Sequence, residues 1–434
     1  MLKYLFLGLF VLIFVACGSG PDPLLTETTV STQPALAQIT SSPKTTKPTE
    51  TAVPPIITIT PTVQSTHAPT ITPSPTPAYP AYAGSPLNRS DIGIQMHIQQ
   101  VNLMPLMDHA QTLGVGWVKT QVSWKLYQPY PDQYSADRLA ELDAFIETAN
   151  ARGIAVMLNV AKAPEWSRPT TELDGPPIDY AHFQQFMQFL AERYQGQVAA
   201  YELWNESNLQ REWNGSTLSA ADTVALMHAG ANGVRSIDSN AILISGAPAT
   251  TGINDGINAI DDRVYLRSML EAGVGDVVDV IGVHPYGAGN PPESSAGDET
   301  SDVPSHNNHP SFFFKDTLDD YDALLNEYSV EKPLWATEFG WGSFDGLLNK
   351  DGSPASPPAG AEFMNYVNEW QQAEYILEAY EIAHERDDIG PLILWNLNFG
   401  PILGTQFAES GYSVLRLDES LRPSYLSLQY ASKQ

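Results

Sequence analysis

Thiols are almost absent from this chain. Among its 434 residues Cys17 is the single cysteine, so no intramolecular disulfide can form and stability must come from a packed core. Basic residues are scarce too: 22 Lys and Arg stand against 50 Asp and Glu, a net charge of −28. Three residues of each sign precede residue 84, so the remainder carries the whole imbalance. Such a surface repels nucleic acid, anionic membranes and other polyanions, and leaves neutral partners open. Long apolar runs are missing as well. The opening "MLKYLFLGLFVLIFVAC" is apolar from Tyr4 to Ala16, too short to span a bilayer comfortably. No glycine-rich phosphate loop follows the first strand-like run, which removes support for a nucleotide-binding fold.

The N-terminal run, with one lysine before it and a small residue at its end, reads as an export signal. Val15, Ala16 and Cys17 resemble the bacterial lipobox, in which the cysteine is lipidated and becomes the mature N-terminus, although Phe14 stands where an aliphatic residue is usual. A plain secretory signal and an uncleaved anchor are the alternatives. From Gly18 to Ala83 the composition turns to Thr, Pro and Ser, with too little apolar material to fold, so a disordered, partly extended tether is expected. Stretched, it would reach roughly 200 Å at about 3.1 Å per residue. The expected organisation is a signal over 1–17, a linker over 18–83 and one domain over 84–434. That domain would be a monomer on the extracellular face of a bacterial membrane, lipid-anchored or secreted, touching the membrane only through its lipid.

From residue 84 onward, strand-like runs alternate with amphipathic helical stretches. Strands are expected at 92–98, 116–122, 154–160, 199–205, 241–247, 278–284, 333–339 and 391–397. A typical helical stretch, "SADRLAELDAFIETANARG", opens on the cap candidate Ser135 and ends at Gly153. Eight repeats of strand and helix predict an α/β fold, the (β/α)8 TIM barrel, with a doubly wound sheet as the alternative. Long connections follow the sixth and seventh strands, whereas turns such as "ANARG" and "YSVEK" are short. That asymmetry places a site at the carboxyl ends of the strands.

Side chains two apart on a strand share a face. Gln95 and His97, Lys119 and Gln121, then Glu202, Trp204 and Glu206 therefore form inward-facing sets, as do Asn396 and Asn398, with Asn159 near the third strand's end. Buried polar groups in such number need one another as partners. Two carboxylates end strands beside aromatics: Glu206 in "LWNES" and Glu338 in "ATEFGW". Strands four and seven lie across the barrel, so the pair can face one cavity. Glycosidic cleavage needs such a pair, one to donate a proton and one to attack; about 5–5.5 Å between them gives retention and about 6.5–9.5 Å inversion.

Together, "YELWNES", "GVHPYG" and "ATEFGW" resemble glycoside hydrolase clan A, the retaining barrel enzymes, with families 5 and 39 nearest in pattern. The likeness covers most of 90–430. It implies Glu206 as acid/base, Glu338 as nucleophile, Asn205 on the sugar 2-hydroxyl, Tyr286 holding Glu338, His284 lining the pocket and Trp395 as a platform under the sugar. Lys119 stands where family 5 commonly has an arginine. A β-glycan of the cellulose, xylan or mannan type would be the substrate, and two carboxylates with a water need no cofactor or metal. Transglycosylation is a variant of the same chemistry. A polysaccharide-binding protein on a barrel that no longer catalyses, or a purely structural surface protein, are the other classes.

Other polar and aromatic residues carry plainer expectations. Glu202, deeper on its strand, is expected to be a structural acid paired with Lys119 or His97, and His97 a core histidine or a sugar contact. Trp124 and Trp166 fit either subsite platforms or packing. Asp255, Asp261 and Asp262 hint at calcium but lack EF-hand spacing. His306 and His309 are expected on a solvated loop, and the sequons "NRS", "NES" and "NGS" carry no weight in a bacterial lipoprotein.

Overall fold

The computed structural model describes residues 79–298, 303 and 306–434. The export signal, Cys17 and the linker up to residue 78 lie outside the described residues. Eight parallel strands form one sheet in the order β5-β4-β3-β2-β1-β8-β7-β6. They are β1 (Ile92–Gln95), β2 (Trp117–Ser123), β3 (Ala155–Ala161), β4 (Ala200–Leu203), β5 (Ile242–Ser245), β6 (Ile281–Val283), β7 (Leu334–Phe339) and β8 (Ile389–Leu394). A single bridge, Ile244 to Val280, joins the two ends of the order, helped by the Gly282 N–H donating to Ser245 Oγ at 3.0 Å. The result is the expected (β/α)8 barrel, closed at that seam by a few bonds.

Every residue of β4 and of β7 is buried, because these strands are covered on both faces. Outside them packs a ring of helices. The helix Ala136–Ala151 starts where Ser135 accepts from the Arg138 N–H and buries Leu139, Leu142, Phe145, Ile146 and Ala149 on one stripe. Inside, Met157, Ala200, Ile244, Val280, Trp335 and Ile393 make an apolar floor. Polar side chains of the strands sit above it. A second apolar cluster, with Phe312, Phe313, Phe344, Phe363 and Met364, lies under the long connections after β6 and β7. At the amino end of the described residues, the Tyr79 ring stacks on Tyr430 at 5.2 Å, and Ser427 Oγ donates to the Pro80 carbonyl at 2.8 Å. Among the described residues no helix is long and apolar enough to cross a membrane.

Four strands, β1, β4, β5 and β6, are shorter than their patterns suggested by three or four residues. β1 stops at Gln95 because the N–H and C=O of His97 are both taken by the Asn398 amide, at 2.9 Å each, instead of by a neighbouring strand. β6 loses its first residues because the N–H groups of Asp279 and Val280 both turn to the Leu243 carbonyl. His306, expected in solvent, is 4% exposed. The connection after β6 folds back and sets its ring on Phe312 and Phe363 at 4.3 and 4.9 Å. Burial lowers its pKa to about 4, so it is neutral. His309 is tied down too, its Nε2 lying 3.6 Å from Asp261.

The three aspartates that hinted at calcium are spent on local structure. Asp255 accepts from the backbone N–H groups of Ile257 and Asn258 in a turn, Asp261 caps the helix Asp262–Glu271, and Asp262 is buried against Arg263 at 2.7 Å. Trp124 is fully buried and stacked on Phe186 at 5.2 Å, and Trp166 meets its edge at 6.1 Å. Packing is therefore the role of Trp124, while Trp166 stays half-buried.

Candidate active site

β4 ends at Leu203, and the next three residues build half of the site. Trp204 has φ 83° and Glu206 φ 41°, a left-handed geometry that side chains rarely adopt outside turns and functional sites. The turn breaks the alternation of the strand. Trp204 does not share the inward face of Glu202 as its spacing predicted; its ring leaves the interior and packs on Phe183 and Trp213 at 5.6 and 5.9 Å. Anchored by that indole, the turn carries Asn205 and Glu206 to the mouth. The Glu206 N–H donates to the Ala247 carbonyl at 3.0 Å. Asn205 is 5% exposed, and its Oδ1 has no hydrogen-bond partner among the described residues.

Glu338 arrives near the end of β7 and is held from three sides. Lys119 Nζ donates to its Oε1 at 3.2 Å and the Tyr286 hydroxyl to its Oε2 at 3.0 Å. With its amide oriented to suit its neighbours, Gln95 donates to Glu338 Oε1 and accepts from Trp395 Nε1, both at 3.1 Å. Burial and the nearby carboxylates push the Tyr286 hydroxyl pKa well up, so it stays a donor. Trp395 stands half-buried at the rim, its edge near Tyr412 at 5.2 Å and Tyr286 at 6.1 Å.

Beneath the pair, Lys119 also donates to Glu202 Oε2 and to the Thr337 carbonyl, both at 2.9 Å. Its three protons thus meet three acceptors. Burial lowers its pKa, but Glu202 and Glu338 outweigh that and keep it charged. Glu202 further accepts from Asn159 at 2.8 Å and from Thr337 Oγ1 at 2.7 Å. It is the structural acid expected, and of its two foreseen partners Lys119 is the one it pairs with. His97 sits apart, set against Phe399 with its pKa lowered to about 4 by burial.

Glu206 is held differently. His284 Nδ1 lies 3.2 Å from its Oε1 and Arg211 Nη2 2.9 Å from its Oε2. Burial pushes the carboxyl up, but the His284 hydrogen bond and the Arg211 charge override it and bring it to about 2. Burial lowers His284 in turn, while Glu338 and Glu206 raise it further, so its net shift is upward and the imidazolium is favoured. His284 Nδ1 is also 4.0 Å from Glu338 Oε2, which makes it the hinge between the two carboxylates. One carboxyl oxygen of Glu206, one of Glu338 and a His284 nitrogen lie within 4.8 Å of one another. Three such atoms could converge on a cation, but Lys119 and Arg211 already supply the countercharge there.

All the foreseen residues within the described chain, namely Lys119, Asn205, Glu206, His284, Tyr286, Glu338 and Trp395, thus come to one end of the barrel. Arg211 was not foreseen. It lies in the irregular stretch after β4, where no periodicity reports facing. Gln95 was visible only as an inward polar residue.

The model of the cellulase family (glycosyl hydrolase family 5) matches residues 82–377. A family 39 glycoside hydrolase from Bacteroides cellulosilyticus WH2 is similar in structure, with TM-score 0.58, 17% identity, 80% of this chain and 64% of that one covered. The exo-β-1,4-mannosidase Op5Man5 from Opitutaceae bacterium strain TAV5 gives 0.51, 15%, 81% and 60%. A glucosidase from Croceicoccus marinus gives 0.55, 14%, 80% and 68%. The chain therefore spans less than two thirds of the length of the first two. At such identities these likenesses speak for the barrel fold. No curated protein matches the chain. The family match, covering most of the barrel, bears out the resemblance carried by the strand-end motifs: the chain belongs to glycosyl hydrolase family 5.

Proposed function

We propose that the chain is a retaining glycoside hydrolase that cleaves β-glycosidic bonds in glycans of the cellulose, xylan or mannan type. The observation that carries this is the pair of strand-end carboxylates, with oxygens of Glu206 and Glu338 within 4.8 Å. That spacing leaves no room for the water an inverting pair needs between them and suits a nucleophile beside an acid/base. Family membership and the clan pattern support the same reading.

In the first step a Glu338 oxygen, aimed by Lys119, Tyr286 and Gln95, attacks the anomeric carbon. The bond to the leaving oxygen breaks with its electron pair, and Glu206 gives that oxygen a proton. In the second step Glu206 takes a proton from water, the hydroxide attacks the anomeric carbon, and Glu338 leaves as a carboxylate. Two inversions restore the configuration. Asn205 would hold the sugar 2-hydroxyl with its unpartnered Oδ1, and Trp395 would lie under the pyranose. Cys17 and the segment to residue 78 would tether the enzyme outside a bacterial cell; Tyr79 and Pro80, expected in the linker, belong to the barrel.

Glu338→Gln is expected to lower turnover of aryl β-glycosides and β-glucans by about 10³-fold or more, with Glu206→Gln impaired chiefly on substrates with poor leaving groups. Near wild-type turnover by Glu338→Gln would sink the proposal. Binding without hydrolysis across a broad set of glycans would point instead to a carbohydrate-binding role, and new glycosidic products at high acceptor concentration to a transglycosylase.

A further inference from the structure

The site contains a contradiction for the proposed chemistry. Glu206 must carry a proton in the first step, yet both its oxygens face cationic donors, His284 on Oε1 and Arg211 on Oε2. We propose that Arg211 is a positioning residue for Glu206: in the arrangement seen here its guanidinium pins the carboxyl, and a sugar on the leaving-group side must draw it away before Glu206 can protonate the glycosidic oxygen. The inference rests on the two-carboxylate reading above and adds a residue that reading does not assign.

Three observations support it. Arg211 makes one contact to Glu206 from a fork of five donors, and its Nε is buried without a partner among the described residues. Its grip is therefore single-pronged and can be exchanged. Two other carboxyls stand ready to receive it. Glu212 follows it in the chain, and Glu409 comes from the short helix Glu409–Tyr412 beyond β8. They are 3% and 2% exposed, each has an Oε2 without a partner among the described residues, and the charges of both act on Arg211. Burial raises each to about 7, so each still carries a proton over much of the range below neutrality. Tyr412, three residues after Glu409, packs against Trp395, so the helix that carries Glu409 borders the proposed sugar platform. When the guanidinium moves from Glu206 to one of them, that carboxyl can lose its proton as Glu206 gains one, and the charge of the site is unchanged.

Other charges facing Glu206 do not provide this exchange. His284, at the end of β6, stays between the two catalytic carboxylates, and Glu202 and Glu338 behind it are tied to Lys119 of β2. Lys162 and Asp174 act on Glu212 but are paired with each other at 3.5 Å. Arg211 is the cation that touches Glu206 from the chain's own loop.

The test compares full-length Arg211→Met and Arg211→Lys with wild type. Glu206 is titrated by NMR on protein labelled with 13C at the glutamate carboxyls and assigned with Glu206→Gln; this requires no turnover. The pH profile of kcat/KM is then measured on a β-linked oligosaccharide and on a dinitrophenyl β-glycoside, whose leaving group needs no proton. Arg211→Met should move the Glu206 titration up by about one pH unit or more, and the alkaline limb on the oligosaccharide with it. The limb on the dinitrophenyl substrate should stay in place, and Arg211→Lys should keep the wild-type titration. An unmoved titration in Arg211→Met overturns the proposal, as does equal loss on both substrates at every pH, which is what a structural role gives. If wild type hydrolyses neither substrate while the titration shifts as expected, the pinning of Glu206 stands and the hydrolase reading falls. The double variant Glu212→Gln/Glu409→Gln should lower the ratio of oligosaccharide to aryl turnover by about tenfold; an unchanged ratio removes the acceptor role.

Discussion

At the scale of the residue, Lys119 decides how the floor of the site is wired. The patterns resembling family 5 lead one to expect an arginine there, whose planar fork would grip a carboxylate with two bonds. A lysine offers a point charge with three protons, and here each has its own acceptor: Glu202, Glu338 and the Thr337 carbonyl. The ammonium thus does the aiming that a fork would do, but by sitting between two acids instead of clasping one. Lys119→Met would leave two buried carboxylates without their cation, a change that costs about 3–5 kcal/mol where a buried pair is broken. Urea unfolding should show that loss, and loss of a few tenths only would mean that Glu202 and Glu338 do not depend on this lysine.

At the scale of the element, the short turn after β4 matters more than the strand. The indole of Trp204 is locked between Phe183 and Trp213, and the two left-handed residues on that turn are what swing Glu206 to the mouth. Truncating the anchor, Trp204→Ala, should cost about 3–5 kcal/mol through the cavity it opens. It should also lower kcat/KM more than Trp204→Phe does, since Glu206, the proposed acid/base, hangs from the same turn. Equal kinetics in the two variants would show that the turn holds its shape without the indole. The connection after β6 teaches a related lesson. Expected to hold His306 and His309 on a solvated loop with no cysteine near, it buries His306 against aromatics 6 and 57 residues further along.

At the scale of the molecule, the site's ion lattice should write itself into the pH dependence of stability. Glu206 is depressed from 4.5 to about 2, so its contribution is present above 4.5 and is lost as pH falls toward about 2. His284 is raised above 6.5, so its contribution is present below 6.5 and is lost as pH rises through its higher folded value. Both are intact between about 4.5 and 6.5, so the joint contribution of these two groups to Tm, measured by calorimetry against their variants, is expected to be greatest in that window. Glu206→Gln should flatten the acid limb and His284→Gln the alkaline one; parallel curves for His284→Gln and wild type above 6.5 would show that His284 is not the group involved.

The chain's sequence determined the barrel, the two strand-end carboxylates and their order. Burial on both faces and a repeat of strand and helix leave a periodic signal that local reading can follow, and a carboxylate beside an aromatic at a strand end is conspicuous. Five companions, Lys119, Asn205, His284, Tyr286 and Trp395, were legible because strand positions, or motifs at strand ends, fix where they face. Only the tertiary structure decided that Trp204 turns outward, that His306 is buried, that Asp255 and Asp261 of the loop after β5 serve the backbone while Asp262 pairs with Arg263, and that Arg211 grips Glu206. These depend on irregular backbone and on contacts between residues far apart in the chain, and neither leaves a period in the sequence for a local pattern to report.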